Sequence, residues 1–304
     1  MFVVTGGFGF IGSNIIRSLN SQGIDDIIVV DNIPQDERYQ NLSGCRYADL
    51  VVPDEFSIKK HGWIKATFHQ GAETDTGVSM HAAYMKNFLF SKKILTDHLD
   101  AFSQVPFVYA SSAAVYGNSK SFREDASADE QPLNPYAFTK LAFDNFVRKY
   151  TSFSHRVYGL RYFNVYGDGE SHKGKMASMI TQLMKADQIQ IFCPSASRDF
   201  VHVDDVVETN LRFALDFGDD DRLRCCPPDA GIFNVGTGVD RTFDDIAGLV
   251  AKKRKKKYDI IEMPEGLRPK YQFMTRADTT RISSALGWKP SIAVEDGIER
   301  YRSC

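Results

Sequence analysis

Thr5-Gly6-Gly7-Phe8-Gly9-Phe10-Ile11-Gly12 decides the fold of this chain. A short apolar run precedes the stretch and a helical pattern follows it. Glycines spaced three apart at such a turn permit a tight bend, close approach of backbone N–H groups to a pyrophosphate, and close packing of helix on strand. The stretch therefore predicts a strand, a phosphate-binding loop formed by Gly6, Gly9 and Gly12, and a helix.

The next strand-like run, residues 26–30, ends at Asp31, 19 residues after Gly12. A carboxylate at this position can bind the hydroxyls of an adenosine ribose. Strand, glycine loop, helix, strand and acid in this order indicate a dinucleotide site.

Short β-branched runs then alternate with helical patterns along the chain. This alternation is typical of βαβ units and favours an α/β fold with a doubly wound parallel (Rossmann) sheet. Strands are predicted at 1–5, 26–30, 64–69, 105–110, 157–163, 189–192, 232–234 and 258–262. Helices are predicted at 10–20, 79–102 (interrupted), 136–150, 176–186 and 204–217, from 242 onward, and twice after 278.

Composition excludes several classes of function. A net charge of −2 over 304 residues gives no footprint for nucleic acid. No apolar run approaches the ~18 to 20 residues that span a bilayer, and no signal peptide is evident at the N-terminus. The five cysteines, at 45, 193, 225, 226 and 304, lack metal-ligand spacing. We therefore expect reduced thiols, no metal, no membrane partner and a cytoplasmic protein.

The basic run Lys252-Lys-Arg-Lys-Lys-Lys257 invites a nucleic-acid interpretation. The helix that it closes carries acids, Asp244 and Asp245, in its first turn. Acids at the N-terminus and bases at the C-terminus complement the helix dipole. We interpret the run as a solvated helix end.

Tyr136 and Lys140 lie one helical turn apart behind Asn134-Pro135, a favourable helix start. The spacing places both side chains on one face, where the ammonium would lower the pKa of the phenol and make it a proton acceptor. Ser112 follows an apolar strand, and ligands of doubly wound sheets bind beyond the carboxyl ends of strands. Ser112 can therefore hold a substrate oxygen beside the phenol.

With these features the sequence resembles the extended short-chain dehydrogenase/reductase superfamily, nearly end to end. Within it, the chain is most similar to the ADP-glyceromanno-heptose 6-epimerases. The resemblance rests on segments 5–12, 112–117, 136–140, 161–167, 198–205 and 233–238, and more specifically on 30–32, 172–178 and 271–278.

The resemblance implies inversion of C6 of an ADP-linked heptose through a 6-keto intermediate, in the supply of heptose for lipopolysaccharide core. Tyr136 would be one acid/base, Lys140 its partner, Ser112 the group that orients the reacting oxygen, and Lys173 a second acid/base. Inversion returns the hydride to the opposite face of the carbon, so the oxygen occupies two places and one fixed phenol cannot serve both.

The resemblance also implies a nicotinamide dinucleotide, one per subunit, and a nucleotide-sugar substrate. The cofactor would be held by Gly6, Gly9, Phe10, Ile11, Gly12, Asp31, Asn32, Arg38, Gln70, Gly71, Ala72, Asn87, Lys140 and Val165. The substrate would be held by Ser112, Asn164, Lys175, Gln182, Phe192, Ser195, Arg198 and Tyr271. Arg38 and Asn32 favour NADP, whereas Asp31, and Pro53 in place of a second basic residue, leave NAD open.

The implied organisation is a dinucleotide-binding domain (1–163, 197–237 and 270–283) and a smaller, discontinuous α/β substrate domain (164–196, 238–269 and 284–304). The resemblance also implies a homo-oligomer, for example a pentamer. Departures from the family pattern at Lys175, Gln182, Pro53 and Phe192–Ser195 keep the sugar and base open. The alternatives are a 4-epimerase acting on a UDP- or GDP-sugar and a non-catalytic Rossmann-like sensor.

Overall fold

The computed structural model describes residues 1–152, 155–215, 229–266, 268 and 271–301. Strands in chain order are β1 (Phe2–Thr5), β2 (Ile27–Val30), β3 (Asp49–Val51), β4 (Ala66–His69), β5 (Phe107–Ser112), β6 (Val157–Tyr162), β7 (Asn164–Tyr166), β8 (Ile189–Ile191), β9 (Ser197–His202), β10 (Gly231–Val235), β11 (Asp240–Thr242) and β12 (Tyr258–Ile260). Helices are α1 (Phe10–Ser21), α2 (Met80–Ala83), α3 (Phe90–Ala101), α4 (Pro135–Tyr150), α5 (Met179–Lys185), α6 (Val203–Leu215), α7 (Phe243–Arg254), α8 (Thr280–Leu286) and α9 (Val294–Arg300).

Among the described residues, seven strands form one sheet in the order β10-β6-β5-β4-β1-β2-β3. Every neighbouring pair in this sheet is parallel. Strands β1, β2 and β4 are buried along their whole length, as expected for a sheet covered by helices on both faces. The prediction of a doubly wound parallel sheet is confirmed.

Two hydrophobic clusters cover the faces of this sheet. One contains Ile15, Leu19 and Phe213, so α1 and α6 pack on its side. The other contains Leu95 and Phe143, which belong to α3 and α4. The carboxyl ends of β1, β4 and β5 therefore open together at one edge, between the two helical layers.

A third cluster forms a separate small core. It joins α5, α7 and α9 to short strands, with Ile180, Ile246 and Ile298 fully or almost fully buried. Beside it lie a three-stranded sheet, ordered β11-β9-β7, and a parallel pair, β12-β8. Strand β9 pairs with both β7 and β11 in this smaller sheet.

The predicted helix over 79–102 is continuous but irregular, because a π-helical segment, Tyr84–Leu89, joins α2 to α3. Such π segments are frequent at functional sites. This one carries the predicted cofactor residue Asn87.

Four strands were not predicted as strands: β3, β7, β9 and β11. Three of them have only three residues, too few for a period of two to emerge. The predicted helix over 176–186 begins only at Met179, since Ser171–Met176 forms a 3₁₀ turn. The last predicted residues of the helix over 204–217 lie outside the described residues.

The basic run closes α7, as interpreted. A capping box of Thr242 and Asp245 starts this helix, and Arg254 ends it. The Arg254 guanidinium donates to the carbonyl oxygens of Leu183 (2.7 Å) and Ala186 (2.5 Å), at the end of α5. Cations at helix carbonyl ends are stabilising, so the run has a structural explanation.

Cys45 and Cys193 are free thiols, each half-buried. Cys225, Cys226 and Cys304 lie outside the described residues. Across the described ranges, no helix is both long enough and apolar enough to span a bilayer.

Candidate active site

The glycine loop is a cradle made of backbone. A Cβ added at Gly12 would lie 2.2 Å from the Gly6 carbonyl oxygen, and one at Gly6, where φ is +70°, would lie 2.6 Å from the Gly71 nitrogen. Helix α1 starts directly after Gly9, and no side chain caps its N-terminus. Uncapped N–H groups at a helix N-terminus attract phosphate. The donors and the close backbone approach fit a dinucleotide pyrophosphate.

Asp31 lies beside this loop at the end of β2. Its carboxylate accepts hydrogen bonds from the backbone N–H groups of Phe8 (3.0 Å) and Asn32 (2.8 Å). Burial raises the pKa of Asp31, and these two hydrogen bonds and the Arg38 charge oppose that shift. Arg38 is half-buried and its Nε lies 2.8 Å from Asp36. Asp31 and Arg38 thus lie close enough for the Arg38 charge to act on the carboxylate, beside the glycine loop.

The loop after β4 forms the other wall. The Gly71 amide donates to Thr5 Oγ1 at 3.1 Å, and the Gln70 amide oxygen accepts from the Tyr162 hydroxyl at 3.0 Å. Asn87 is fully buried, accepts from the Glu73 N–H at 2.7 Å and donates to the Glu73 carbonyl at 3.0 Å. Asn87 therefore holds this loop, which includes Ala72, in place.

Tyr136 is the second residue of α4, and the Asn134 side chain caps this helix by accepting from the Ala137 N–H at 2.9 Å. The Ser112 hydroxyl lies near enough to the Tyr136 phenol to lower its pKa, and it also accepts from the Ala114 N–H at 3.1 Å. Ser112 thus both caps the turn after β5 and reaches the phenol. The Lys140 ammonium, 5% exposed as a residue, donates to the Ala110 carbonyl at 2.7 Å.

One electrostatic expectation is wrong for this structure. Burial raises the pKa of Tyr136, and only the Ser112 hydrogen bond opposes the shift. Lys140 does not lower it, because its Nζ lies 6.0 Å from the Tyr136 ring centroid and is turned to Ala110. Burial lowers the pKa of Lys140 itself to about 8, against the influence of Asp144.

Lys173 reaches the same cavity from the 3₁₀ turn Ser171–Met176. Its Nζ lies 3.2 Å from a Glu170 carboxylate oxygen and 5.6 Å from the Phe10 ring centroid. The cavity has a volume of about 270 Å³, and its walls also include Ser112, Tyr136 and Lys140. Two separate elements therefore bring a phenol and an ammonium to one cavity.

Six other predicted residues line this cavity: Phe10, Ile11, Gln70, Ala72, Asn164 and Val165. Phe192, Arg198 and Tyr271 form a separate cluster. The Arg198 guanidinium lies 5.2 Å from the Tyr271 ring centroid, and the Phe192 and Tyr271 centroids are 5.6 Å apart. Arg198 donates to the Ser197 carbonyl at 2.8 Å and to the Gln272 carbonyl, and burial lowers its pKa.

Three predicted substrate residues, Lys175, Gln182 and Ser195, are exposed and do not line the cavity. The Gln182 side-chain amide donates to the carbonyls of Ala177 (2.8 Å) and Lys175 (3.2 Å). Gln182 is therefore tied to its own turn.

Sequence reasoning missed Glu170, Ser178, Met176 and Met179 in the cavity wall. Glu170 is fully buried although it lies three residues before an exposed-looking Lys-Gly-Lys stretch. A carboxylate at that spacing from Lys173 was the only available signal.

Comparison with known proteins agrees with this geometry. Residues 2–236 match the NAD dependent epimerase/dehydratase family. Proteins named ADP-L-glycero-D-manno-heptose-6-epimerase are similar: that of Brachyspira hyodysenteriae is 39% identical, with 99% of this chain and 96% of the relative covered. That of Cupriavidus pinatubonensis is 37% identical, with coverages of 98% and 96%. The crystal structure of the Helicobacter pylori enzyme of the same name superposes with a TM-score of 0.82 at 26% identity, with coverages of 99% and 94%.

These matches confirm the resemblance drawn from the motifs. The chain belongs to the NAD dependent epimerase/dehydratase family.

Proposed function

We propose that this protein is an ADP-glyceromanno-heptose 6-epimerase, which inverts C6 of the heptose and supplies heptose for lipopolysaccharide core. The observation that carries the proposal is the presence of both Tyr136 and Lys173 at one cavity. The two relatives that cover nearly the whole chain are named for this reaction.

The residues divide the proton chemistry between two groups. In one pose of the substrate, the C6 hydroxyl gives its proton to Tyr136 in the phenolate form, with Ser112 beside it. The raised pKa of Tyr136 makes this phenolate a strong base. In the other pose, the C6 oxygen exchanges its proton with Lys173. Proton transfer by a positioned side chain contributes about 10²- to 10⁴-fold to rate, so neither group is dispensable.

A bound nicotinamide supplies the acceptor and donor of the C6 hydride. The cradle of Gly6 and Gly12, with Asp31 at its ribose end, fits such a dinucleotide. Lys140 of α4, whose ammonium reaches the Ala110 carbonyl in β5, would bind the nicotinamide-side ribose. One cofactor is held per subunit and regenerated in each turnover.

We further propose NADP in preference to NAD. Both Asp31 oxygens already accept backbone N–H groups, which leaves fewer lone pairs for a ribose hydroxyl. Arg38 and the exposed Asn32 lie in the same loop and can receive a 2′-phosphate. The family pattern has a second basic residue at the position of the half-buried Pro53. Without that cation the preference for NADP is weaker, and NAD is the alternative.

The cluster of Phe192, Arg198 and Tyr271 is suited to the nucleotide half of the substrate. A guanidinium matches diphosphate oxygens, and aromatic faces accept a purine. Asn164 would contact the sugar in the cavity, while Lys175, Gln182 and Ser195 would act only from the exposed rim.

We also propose the division into a dinucleotide-binding domain (1–163, 197–237 and 270–283) and a substrate domain (164–196, 238–269 and 284–304). The separate core of α5, α7 and α9 supports it. Strand β9 pairs with β7 and β11, but Val201 of β9 and Val206 of α6 pack in the core of the seven-stranded sheet, which supports the assignment of 197–237 to the dinucleotide-binding domain. A homo-oligomer, for example a pentamer, and a cytoplasmic location, where thiols such as Cys45 stay reduced, complete the proposal.

Incubation with ADP-D-glycero-D-manno-heptose, with the C6 configuration followed by NMR, tests the proposal. We expect an approach to a mixture of both C6 epimers. Absence of inversion together with turnover of a UDP- or GDP-sugar would establish the rival, a 4-epimerase. Absence of any reducible nicotinamide in the purified protein would point to a sensor.

A further inference from the structure

Glu170 is a fully buried carboxylate in the wall of the cavity that contains Tyr136 and Lys173. One of its oxygens accepts the Ser178 N–H at 2.7 Å. The other accepts the hydroxyls of Ser178 and Thr181, each at 2.7 Å. Three short hydrogen bonds at the start of α5 thus hold this carboxylate in place independently of any cation.

The fourth partner of Glu170 is the Lys173 ammonium, at 3.2 Å. This contact is longer than the other three hydrogen bonds of Glu170. We infer that those three bonds set the position of the carboxylate and that the carboxylate in turn sets the position of the ammonium. A lysine side chain is a flexible four-carbon stem with a compact charge, and it needs an anchor to hold one position. The Phe10 ring, 5.6 Å from Nζ, supplies a second and weaker attraction from the cofactor loop.

We propose that Glu170 is the positioning residue for Lys173, holding its ammonium where the C6 oxygen of the second pose will lie. The inference rests on the proposed function, in which Lys173 is the second acid/base. Glu170 itself exchanges no proton with the substrate.

For the epimer whose C6 hydroxyl faces Tyr136, the reaction begins with oxidation at C6. The O–H proton passes to the Tyr136 phenolate, the C6–H bond breaks with its electron pair leaving as hydride, which a bound nicotinamide would accept, and the C=O bond forms. When the hydride returns to the other face, the oxygen takes a proton from Lys173. Exchange with water restores both groups, and the Glu170 carboxylate draws the recharged ammonium back to its place.

The two half-reactions therefore depend on Glu170 unequally. Loss of its charge leaves oxidation through Tyr136 intact but slows every step in which Lys173 donates or accepts. Misplacement of a catalytic group by about 1 Å can cost about 10²-fold in rate. A residue that only stabilised the fold would slow both half-reactions alike.

Glu170→Gln tests this, because glutamine keeps the shape of the side chain and an oxygen for the Ser178 N–H. Each C6 epimer of the ADP-heptose is mixed separately with the holoenzyme, and the absorbance of reduced nicotinamide is followed in a single turnover. One epimer should reduce the cofactor at the wild-type rate, and the other about 10²-fold more slowly. Net epimerisation should fall by the same factor.

Asp205→Asn is the matched control. Asp205 is also a buried carboxylate with three short donors, from Ser291 and Ile292, but lies outside the cavity wall. Its loss should lower the melting temperature without any asymmetry between epimers. If Glu170→Gln does not fold, Glu170→Asp, which keeps the charge but shortens the reach, should show the same asymmetry to a smaller degree.

Equal slowing of both epimers, or wild-type turnover in a folded Glu170 variant, would overturn the assignment. Lys173→Met measured in parallel separates this failure from failure of the proposed function. An inactive Lys173→Met beside an active Glu170→Gln removes only the positioning role. A fully active Lys173→Met removes the two-base proposal itself.

Discussion

The Lys140 ammonium donates a 2.7 Å hydrogen bond to the carbonyl oxygen of Ala110, the residue that precedes Ser111 and Ser112 in β5. This bond links Lys140, four residues after Tyr136, to the edge of the sheet where ligands of doubly wound folds bind. The carbonyl satisfies one ammonium proton, but burial still lowers the pKa of Lys140 to about 8.

The first prediction concerns the pH dependence of stability. The unfolded chain keeps the ordinary pKa of 10.5 for Lys140, so between about pH 8 and 10.5 the unfolded state binds more protons than the folded state. The Lys140 contribution to stability is therefore lowest below pH 8 and rises with pH across that window. Relative to Lys140→Met, the wild type should gain on the order of 3 kcal/mol of unfolding free energy over the window.

Denaturant unfolding of both proteins at several pH values measures this difference. Comparison with the variant cancels the titration of all other groups. A difference that stays constant from pH 7 to 10.5 would show that Lys140 is not desolvated as described.

The second prediction concerns the glycine cradle. Gly12→Ala places a Cβ 2.2 Å from the Gly6 carbonyl oxygen, so backbone must move and the cofactor loop must open. We expect purified Gly12→Ala to contain little or no nicotinamide nucleotide, measured by release and absorbance.

Gly248→Ala in α7 is the control, since a Cβ there meets no atom within 4 Å. Alanine is favoured over glycine inside a helix by about 1 kcal/mol, so this variant should melt slightly higher and keep its cofactor. Full cofactor content in Gly12→Ala would refute the close approach.

The doubly wound parallel sheet and the turn of the glycine loop follow from local patterns, and the sequence was sufficient to predict them. Glu170 and Asn87 were different. Each is a polar side chain whose burial depends on partners supplied by other elements, Thr181 for Glu170 and the Glu73 backbone for Asn87. Only the resemblance indicated Asn87, and nothing in the periodicity marked Glu170 as buried.

The direction of the Tyr136 pKa shift could not be predicted for a related reason. Helical spacing places the Lys140 stem near the phenol but does not say which acceptor the ammonium takes. The Ala110 carbonyl belongs to another element, and only the tertiary fold brings it within 2.7 Å. Likewise, the positions of Lys175 and Gln182 in the chain did not indicate whether their side chains are exposed.

The third prediction concerns the nucleotide half of the substrate. Arg198→Gln removes a buried guanidinium that lies 5.2 Å from the Tyr271 ring centroid and 5.3 Å from that of Phe243. A hydrogen bond to a charged group contributes about 1.5 to 3 kcal/mol, so KM should rise by roughly 10- to 100-fold. Cofactor content should be unchanged, because Arg198 lies apart from the glycine loop. A KM equal to that of wild type would exclude Arg198 from substrate binding.

The fourth prediction concerns backbone strain. Lys255 ends α7 in the left-handed region, with φ of +53°, and is exposed. Left-handed backbone costs a non-glycine residue roughly 1 to 2 kcal/mol, so Lys255→Gly should raise the unfolding free energy by about 1 kcal/mol. Cys193 has a φ of +49° and its side chain packs against the small core. Cys193→Gly loses this packing, so its unfolding free energy should rise less than that of Lys255→Gly. Calorimetric melting of both variants gives the comparison, and destabilisation by Lys255→Gly would contradict it.

The two-base assignment is tested most directly by the epimerisation rate of Lys173→Met on ADP-D-glycero-D-manno-heptose, with C6 followed by NMR. Lys185→Met, at the exposed end of α5, is the control and should keep the wild-type rate. We predict that Lys173→Met loses at least about 10²-fold of its epimerisation rate while it retains its cofactor. Epimerisation by Lys173→Met at close to the wild-type rate would contradict the assignment, because one phenol would then serve both faces of the ketone.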